Sequence, residues 1–239
     1  GINSLNVFDL VNMDGEYYIS NENGVQKGLD NWIDFDYGFV CAFTADIGES
    51  QNGIAAVDYQ GLHYLGDDST NWVNTTGELP IWVMHSFEYT NDTLVISTAP
   101  SNSFGTPMKV YTSPDNGINW TETPSLGVDG RPHILSSKGS YISATVSNEL
   151  HFSPDLGQSW VDILPESGFN CLTSTSEVLF TDSFWYIYTC DYQAELLKSD
   201  DQGATWTHAD YGIPPAHIKG VWHFNDRLFV STLAGFYYS

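Results

Sequence analysis

The chain has 239 residues, of which 30 are acidic and seven are basic, so its formal net charge is −23. A surface this negative repels phosphate backbones and anionic lipids, which argues against binding to nucleic acid and to acidic membranes. The sequence contains no apolar run near the roughly 18 residues that a membrane-spanning segment needs, no long helical periodicity and no linker composition, so we expect one all-β domain over 1–239 without membrane insertion.

Short segments of alternating apolar and polar residues recur along the chain. They are rich in β-branched and aromatic residues, which is the pattern of half-buried β-strands. The clearest examples lie at 16–20, 93–97, 140–144, 184–188 and 227–231. We therefore expect repeated β-hairpins.

An octapeptide motif, Ser-x-Asp-x-Gly-x-x-Trp, follows these hairpins in three complete copies. The copies occupy 113–120, 153–160 and 199–206, and weaker copies end at Trp72 and Trp32. The five tryptophans stand at 32, 72, 120, 160 and 206, and this spacing of 40 to 48 residues is the length of one four-stranded propeller blade.

The residue types of the motif predict a tight turn. Serine and aspartate side chains bond nearby backbone N–H groups, glycine permits a positive φ, and tryptophan packs a large apolar ring against the next strand. We therefore assign a structural role to Ser113, Asp115, Gly117, Trp120, Ser153, Asp155, Gly157, Trp160, Ser199, Asp201, Gly203 and Trp206.

The motif resembles the Asp-box, or BNR repeat, of sialidases, xyloglucan-cleaving hydrolases, sortilin-type receptors and photosystem assembly factors. The resemblance implies a β-propeller with its boxes between the third and fourth strands of each blade, all on one face, and a ligand site on the opposite face. The repeat phase predicts six blades, approximately 1–36, 37–78, 79–126, 127–166, 167–212 and 213–239, the last of them incomplete. A five-bladed ring in which the C-terminal segment completes the first blade is the alternative.

Loops on the face opposite the boxes combine aromatic rings with carboxylates and imidazoles, which suit the stacking and hydrogen bonding of sugars. The resulting ligand-binding candidates are Asp34, Asp36, Tyr37, Trp82, Asp129, Arg131, His133, Asp191, Tyr192, His208, Asp210 and Tyr211. The competing interpretation is that these aromatic residues pack between blades.

Sialidase activity is not expected, because the resemblance implies a clamp of three arginines and the chain has only Arg131 and Arg227. A glycoside hydrolase would need two carboxyl groups about 5–10 Å apart. Loop carboxylates that could supply such a pair are Asp34, Asp36, Asp129, Glu166, Asp191 and Asp210. Their abundance singles out no pair, so we assign no catalytic residue.

Residues that bind metals do occur near the starts of predicted inner strands, at His85, His133, His217, Cys41 and Cys171. They lack the spacing of a metal motif, so we assign no metal ligand and no cofactor, with Ca²⁺ as the ion that the acidic loops could accept. The three cysteines leave open whether Cys171 and Cys190 are bridged.

Together these features predict a secreted or extracellular, lectin-like propeller that binds a glycan or a protein partner without cleaving it. A glycoside hydrolase with a carboxylate pair on the loop face is the first alternative. The second is a structural subunit of an extracellular or viral assembly, which would self-associate through a strand edge at 236–239.

Overall fold

The computed structural model describes residues 2, 6–36, 44–58, 60–67, 69–79, 83–99, 109–128, 132–146, 149–163, 178–188, 195–210, 212–214 and 216–239. These residues form 23 strands in six antiparallel sheets arranged in a ring, with no helix among them. The prediction of a six-bladed all-β propeller is confirmed, and the five-bladed alternative is wrong.

In each sheet the strands follow chain order from the centre of the ring outwards. Sheet one contains β1 (Val7–Met13), β2 (Glu16–Asn21), β3 (Gly24–Lys27) and β4 (Ile33–Asp34). Sheet two contains β5 (Thr44–Ser50), β6 (Gly53–Asp58), β7 (Gly61–Gly66) and β8 (Val73–Asn74). Sheet three contains β9 (Val83–Thr90), β10 (Thr93–Ala99), β11 (Lys109–Ser113) and β12 (Thr121–Glu122).

The remaining sheets repeat this order. Sheet four contains β13 (Pro132–Lys138), β14 (Tyr141–Val146), β15 (Glu149–Ser153) and β16 (Val161–Asp162). Sheet five contains β17 (Val178–Phe180), β18 (Trp185–Tyr188), β19 (Leu196–Ser199) and β20 (Thr207–His208). Sheet six contains β21 (Ile218–Phe224), β22 (Arg227–Thr232) and β23 (Gly235–Tyr238), and it has three strands within the described residues.

The cores of the molecule are the interfaces between neighbouring sheets, here called seams. Seam one/two buries Val11, Ile54 and Trp72, and seam four/five buries Leu150, Phe152 and Trp185. Successive side chains along a strand point to opposite faces of its sheet, so each sheet contributes one set of side chains to each of its two seams. This arrangement makes every sheet depend on its neighbours for burial.

Each fully formed fourth strand is only two residues long and directly follows a motif tryptophan. The tryptophan belongs to one sheet but packs into the seam with the preceding sheet. Trp206 of sheet five donates its indole N–H to the carbonyl of Ile163, the residue after β16 of sheet four, at 3.1 Å. Trp72 of sheet two donates in the same way to the carbonyl of Phe35, the residue after β4 of sheet one, at 2.7 Å. The motif therefore fixes the outer strand and closes the seam at once.

Candidate binding site

The three complete motifs form the same hydrogen-bonded turn. In sheet four the Ser153 hydroxyl accepts the Gly157 N–H at 2.7 Å and donates to the Asp155 carboxylate at 2.8 Å. The other carboxylate oxygen of Asp155 accepts the hydroxyl of Ser159 at 2.6 Å, and this bond lowers the pKa of Asp155. The same contacts occur in sheets three and five, where Asn119 and Thr205 bond to their motif aspartates. The polar atoms of these aspartates are engaged within the turn.

The motif turns share one face of the ring with the hairpin turns between first and second strands. Ser50 donates its hydroxyl to Asn116 of the sheet-three motif at 3.0 Å, and the Leu156 N–H of sheet four donates to Ser140 at 2.9 Å. We call this side the motif face. The opposite side, where the chain leaves a fourth strand and begins the next first strand, is called the return face.

A β-bulge interrupts the first strand of five sheets at the same register, close to the return face. Each bulge adds one residue that the register between the first and second strands skips. The added residues are Phe8, Ala45, His85, His133 and Lys219. The corresponding segment of sheet five lies outside the described residues. Because first strands line the central channel, the bulges form a ring around its mouth on the return face.

Lys219 is the cationic member of this ring. The other lysines of the described chain have partners: Lys27 and Lys109 face glutamates, Lys138 faces Asp182, and Lys198 lies over the Phe184 ring. Lys219 is exposed and contacts neither a carboxylate nor an aromatic ring within the described residues. In a chain with a net charge of −23, Lys219 is therefore an accessible cation at the mouth of the channel, judged from the residues that the structure describes.

A pair of carboxyl groups follows two of the bulges. Asp9 and Asp46 occupy equivalent positions in β1 and β5 and are hydrogen-bonded to each other. Burial and the neighbouring Asp9 charge raise the pKa of Asp46 well above its usual range. Asp46 also accepts the Phe87 N–H of the next sheet at 3.2 Å.

The bond from Asp46 to the next sheet has a counterpart one sheet further on. Ser86, which stands in β9 where Asp46 stands in β5, accepts the Leu135 N–H at 3.4 Å. Aspartate and serine thus fill the same place and join neighbouring first strands. Sequence reasoning missed this pair, because its partners are far apart in the chain and nothing local marks them.

The structure places the described ligand candidates at the outer strands and behind them. Asp34 and His208 occupy equivalent positions in β4 of sheet one and β20 of sheet five, so sheet six lies between them in the ring. The Asp34 carboxylate accepts a hydrogen bond from the Gln26 side-chain amide at 3.0 Å. His208 lies 3.7 Å from Asp210. Asp36 approaches the turn between β2 and β3, where a methyl group at Gly24 would lie 3.0 Å from its carboxylate.

The remaining candidates fall outside what the structure describes. Those residues are Tyr37, Trp82, Asp129, Arg131, Asp191, Tyr192 and Tyr211, together with Cys41, Cys171 and Cys190. His133 is described only through its backbone, which forms the bulge of sheet four. The candidates that the structure does bring together are His208 and Asp210.

One buried polar pair also went unnoticed in the sequence. Asp58 and His63 of sheet two are fully buried, with 3.1 Å between a carboxylate oxygen and the imidazole Nε2. The same Asp58 oxygen accepts the N–H groups of Gln60 and Gly61 at 2.6 and 3.0 Å. An aspartate at the start of a tight turn with histidine five residues later is the only local signal.

Two further properties of the described residues bear on their chemistry. They contain no cluster of three histidine, cysteine or acidic side chains arranged to hold a metal ion. Nor do they include a helix with the length and apolar character required to cross a bilayer.

No protein-family model matches the sequence, and no curated protein matches it. Solved structures do match. The extracellular domain of BT4673 from B. thetaiotaomicron, described as a one component system, superposes with a TM-score of 0.74 at 16% identity over 100% of this chain and 32% of its own. An ancestral GH74 enzyme gives a TM-score of 0.71 at 12% identity, covering 98% of this chain and 38% of its own.

A third solved structure, YCF48 bound to D1 peptide, gives a TM-score of 0.64 at 18% identity and covers 93% of this chain and 73% of its own. The chain thus spans about a third of the length of the BT4673 extracellular domain and of the GH74 enzyme. At these identities the similarity establishes the propeller fold and leaves the activity open.

Proposed function

We propose that this chain is an extracellular or surface-exposed binding propeller, that its octapeptide turns are Asp-boxes, and that it holds a glycan or a protein on the return face without cleaving it. The observation that carries the proposal is the ring of five bulges at the mouth of the channel. β-Bulges redirect side chains and cluster next to functional sites. The extracellular domain of BT4673 and the peptide-bound YCF48 share the fold and are compatible with this use.

Lys219 is the residue that would give this site its charge preference. An exposed ammonium group without a carboxylate partner in the described structure can pair with an acidic group of a ligand. The acidic surface around it would repel the same ligand elsewhere, which favours the channel mouth.

The experiment is a glycan array with Ca²⁺ and with chelator, followed by the Lys219→Ala variant on any sugar that binds. The matched control is Lys138→Ala, which removes the same charge from the motif face. We expect Lys219→Ala to weaken binding of an acidic ligand at least tenfold and Lys138→Ala to leave it unchanged. If no glycan binds but a protein is captured from extracellular fluid, the ligand is a protein. If Lys219→Ala and Lys138→Ala weaken binding equally, the return-face site is refuted.

A glycoside hydrolase with a carboxylate pair on the loop face is the second candidate, and the raised pKa of Asp46 is the observation that favours it. Asp9 is in direct contact with Asp46 and therefore too close to be the second group of such a pair, so that group would be another carboxylate. A carboxyl group with a raised pKa keeps its proton to a higher pH than an ordinary aspartate and can act as a general acid. The ancestral GH74 enzyme shows that this fold is found among such enzymes, at an identity that carries no residue roles.

Substitution of the pair separates the two candidates. If Asp46 only joins neighbouring sheets, Asp46→Asn keeps an acceptor for the Phe87 N–H and removes a buried ionisable group. The raised pKa means that ionisation of Asp46 opposes folding as pH rises, so the variant should gain stability over the wild type with increasing pH. If Asp46 is the general acid of a hydrolase, Asp46→Asn abolishes release of reducing sugar from oligosaccharides. The return-face binding test does not depend on either result.

A further inference from the structure

Two adjoining cavities open on the motif face at seam four/five. The smaller cavity has a volume of about 180 Å³ and the larger one of about 370 Å³. Tyr141, Thr181 and Asp182 line both of them, so the cavities adjoin at the hairpin turn of sheet five. The larger cavity extends to Lys138 of sheet four, and the smaller one extends to the motif of sheet five. Because they open on the motif face, the cavities form a site separate from the channel mouth.

The hairpin turn between the first two strands of sheet five is built differently from its counterparts. In the other five sheets two residues separate the last paired residues, and at least one of the two has a positive φ. In sheet five the last paired residues are Phe180 and Trp185, and none of residues 181–184 has a positive φ. The Thr181 hydroxyl accepts the Phe184 N–H at 3.0 Å in place of a backbone carbonyl. This wider turn borders the two cavities.

The motif of sheet five leaves open a space that other motifs close. In sheet three the fourth motif residue, Asn116, donates its side-chain amide to the Gln51 carbonyl in the hairpin turn of sheet two at 3.1 Å. In sheet four the same motif position is Leu156, whose N–H donates to the Ser140 carbonyl at 2.9 Å. Gln202 has this position in sheet five and makes neither contact within the described residues. Its amide group is therefore available at the smaller cavity.

The smaller cavity combines aromatic rings with carboxylates. The rings of Tyr141 and Trp185 meet edge to face, with their centres 5.6 Å apart. Asp182 and Asp200 are exposed residues of the same lining. The hydrogen bond from Lys138 lowers the pKa of Asp182, so this carboxylate is ionised and already has a cationic partner. Asp200 has no cationic partner among the described residues, which leaves one uncompensated negative charge beside the rings.

A cation of this chain is held in such surroundings elsewhere. The Lys27 ammonium group lies 5.2 Å from the centre of the Tyr18 ring and 5.3 Å from that of Phe35, with the Glu16 carboxylate 3.9 Å away. Aromatic rings attract cations through their quadrupole, and a carboxylate adds a charge pair. No lysine or arginine of the described chain lies over the Tyr141 ring. The smaller cavity therefore has the lining of a cation site that the described chain does not fill itself.

We propose that the smaller cavity binds an arginine side chain of a partner polypeptide, which pairs with Asp182 and Asp200, and that the larger cavity holds the residues next to that arginine. A volume of about 180 Å³ is below the range of about 300–1,000 Å³ that is usual for small-molecule pockets, so it suits a single side chain. The planar guanidinium group stacks on aromatic rings and donates several hydrogen bonds to carboxylates at once. The net charge of −23 attracts a basic partner to this surface.

The probe is N-acetyl-arginine amide, titrated into the ¹⁵N-labelled protein while its amide resonances are followed by NMR. We expect saturable shifts confined to residues 138–141, 181–185 and 199–202. N-acetyl-citrulline amide is the matched ligand control, because it has nearly the same shape without the charge, and it should bind at least tenfold more weakly. Asp200→Asn should weaken binding of the arginine compound about fivefold. Asp226→Asn makes the same change in the exposed hairpin turn of sheet six and should have no effect.

Four results would overturn the proposal. Equal affinities of the arginine and citrulline compounds would exclude recognition of the charge. Equal losses in Asp200→Asn and Asp226→Asn would mean that arginine responds only to the net charge of the protein. Tighter binding of methyl α-glucoside would assign the cavity to a neutral sugar, and tighter binding of free arginine than of its blocked form would assign it to a free amino acid. The return-face test with Lys219→Ala is independent of all four.

Discussion

Seams four/five and five/six have the same backbone arrangement and differ in what fills them. Seam four/five contains Trp206 and a set of contacting aromatic rings, with Phe152 and Trp185 centred 4.6 Å apart. Seam five/six has Ala209 where Ile163 stands, and an open groove where Trp206 lies. The difference teaches that a seam has two separable components, a buried aliphatic interior and a tryptophan that closes its outer end.

The largest effect is expected from Trp206→Ala, which removes the tryptophan from seam four/five and makes that seam resemble seam five/six. We expect a loss of about 3–5 kcal/mol in the free energy of unfolding, because the substitution removes a large apolar ring and leaves a cavity. Urea denaturation of the variant and the wild type measures it. The control is Tyr238→Ala on sheet six, whose ring is 66% exposed and should cost much less. Equal losses would mean that the tryptophan does not close the seam.

A smaller effect is expected from Ser199→Ala in the motif of sheet five. The Ser199 hydroxyl is buried and accepts the Gly203 N–H at 2.8 Å, so its removal leaves a buried donor unsatisfied at a cost of about 1–3 kcal/mol. Ser239 stands at the same position in sheet six, where its hydroxyl accepts the Leu228 N–H at 3.1 Å near solvent. Ser239→Ala should therefore cost less in the same denaturation assay, and the reverse order would contradict the comparison.

Two glycines sharpen the contrast further. Gly203 has φ +85, and a methyl group there would lie 3.3 Å from the Trp185 ring and 3.4 Å from Ile163. Gly212 lines the groove with φ +87, and a methyl group there meets nothing within 4 Å. We expect alanine at either position to cost about 1–2 kcal/mol for the positive φ, with an added packing cost only at Gly203. Thermal unfolding of both variants tests the difference.

The smallest effect concerns acid stability. The side-chain hydrogen bond from Thr205 lowers the pKa of Asp201. The ionised carboxylate therefore stabilises the folded state at any pH above the ordinary pKa of aspartate, and this stabilisation is lost as the pH falls through the lowered pKa. Asp201→Asn should flatten the acid limb of a stability-versus-pH curve and leave seam five/six unaffected. Asp226→Asn, in the hairpin turn of sheet six, is the control, and an unchanged acid limb in Asp201→Asn would refute the role of the bond.

The sequence predicts the repeat well because its determinants are local. The spacing of the five motif tryptophans predicts five sheets, and the hairpin pattern at 227–231 predicts the sixth. The motif turns lie between third and fourth strands as expected. Trp72 keeps its bond to the preceding sheet although its motif has lost the serine and the glycine. The seam contact therefore tolerates changes that weaken the sequence pattern.

The site is predicted less completely because its determinants are distant contacts. The bulges at Phe8 and Lys219 depend on register against the second strand, and no residue type signals them in advance. The Asp9–Asp46 pair joins two sheets, and the groove exists only through the relation of sheet six to sheet five. The loop candidates that the structure describes, such as Asp34, occupy outer strands, because the fourth strand starts directly after the tryptophan.

Because a motif tryptophan packs against the sheet that precedes it in the chain, each seam can close only after the following sheet has been synthesised. Trp206 bonds to a carbonyl 43 residues earlier, and Trp72 to one 37 residues earlier. At translation rates of about 5–20 residues per second, each sheet would wait roughly 2–9 s on the ribosome before the next sheet closes its seam. Limited proteolysis of ribosome-stalled chains ending just before and just after Trp206 should show protection of sheet four appearing between them, and equal cleavage would exclude this stepwise closure.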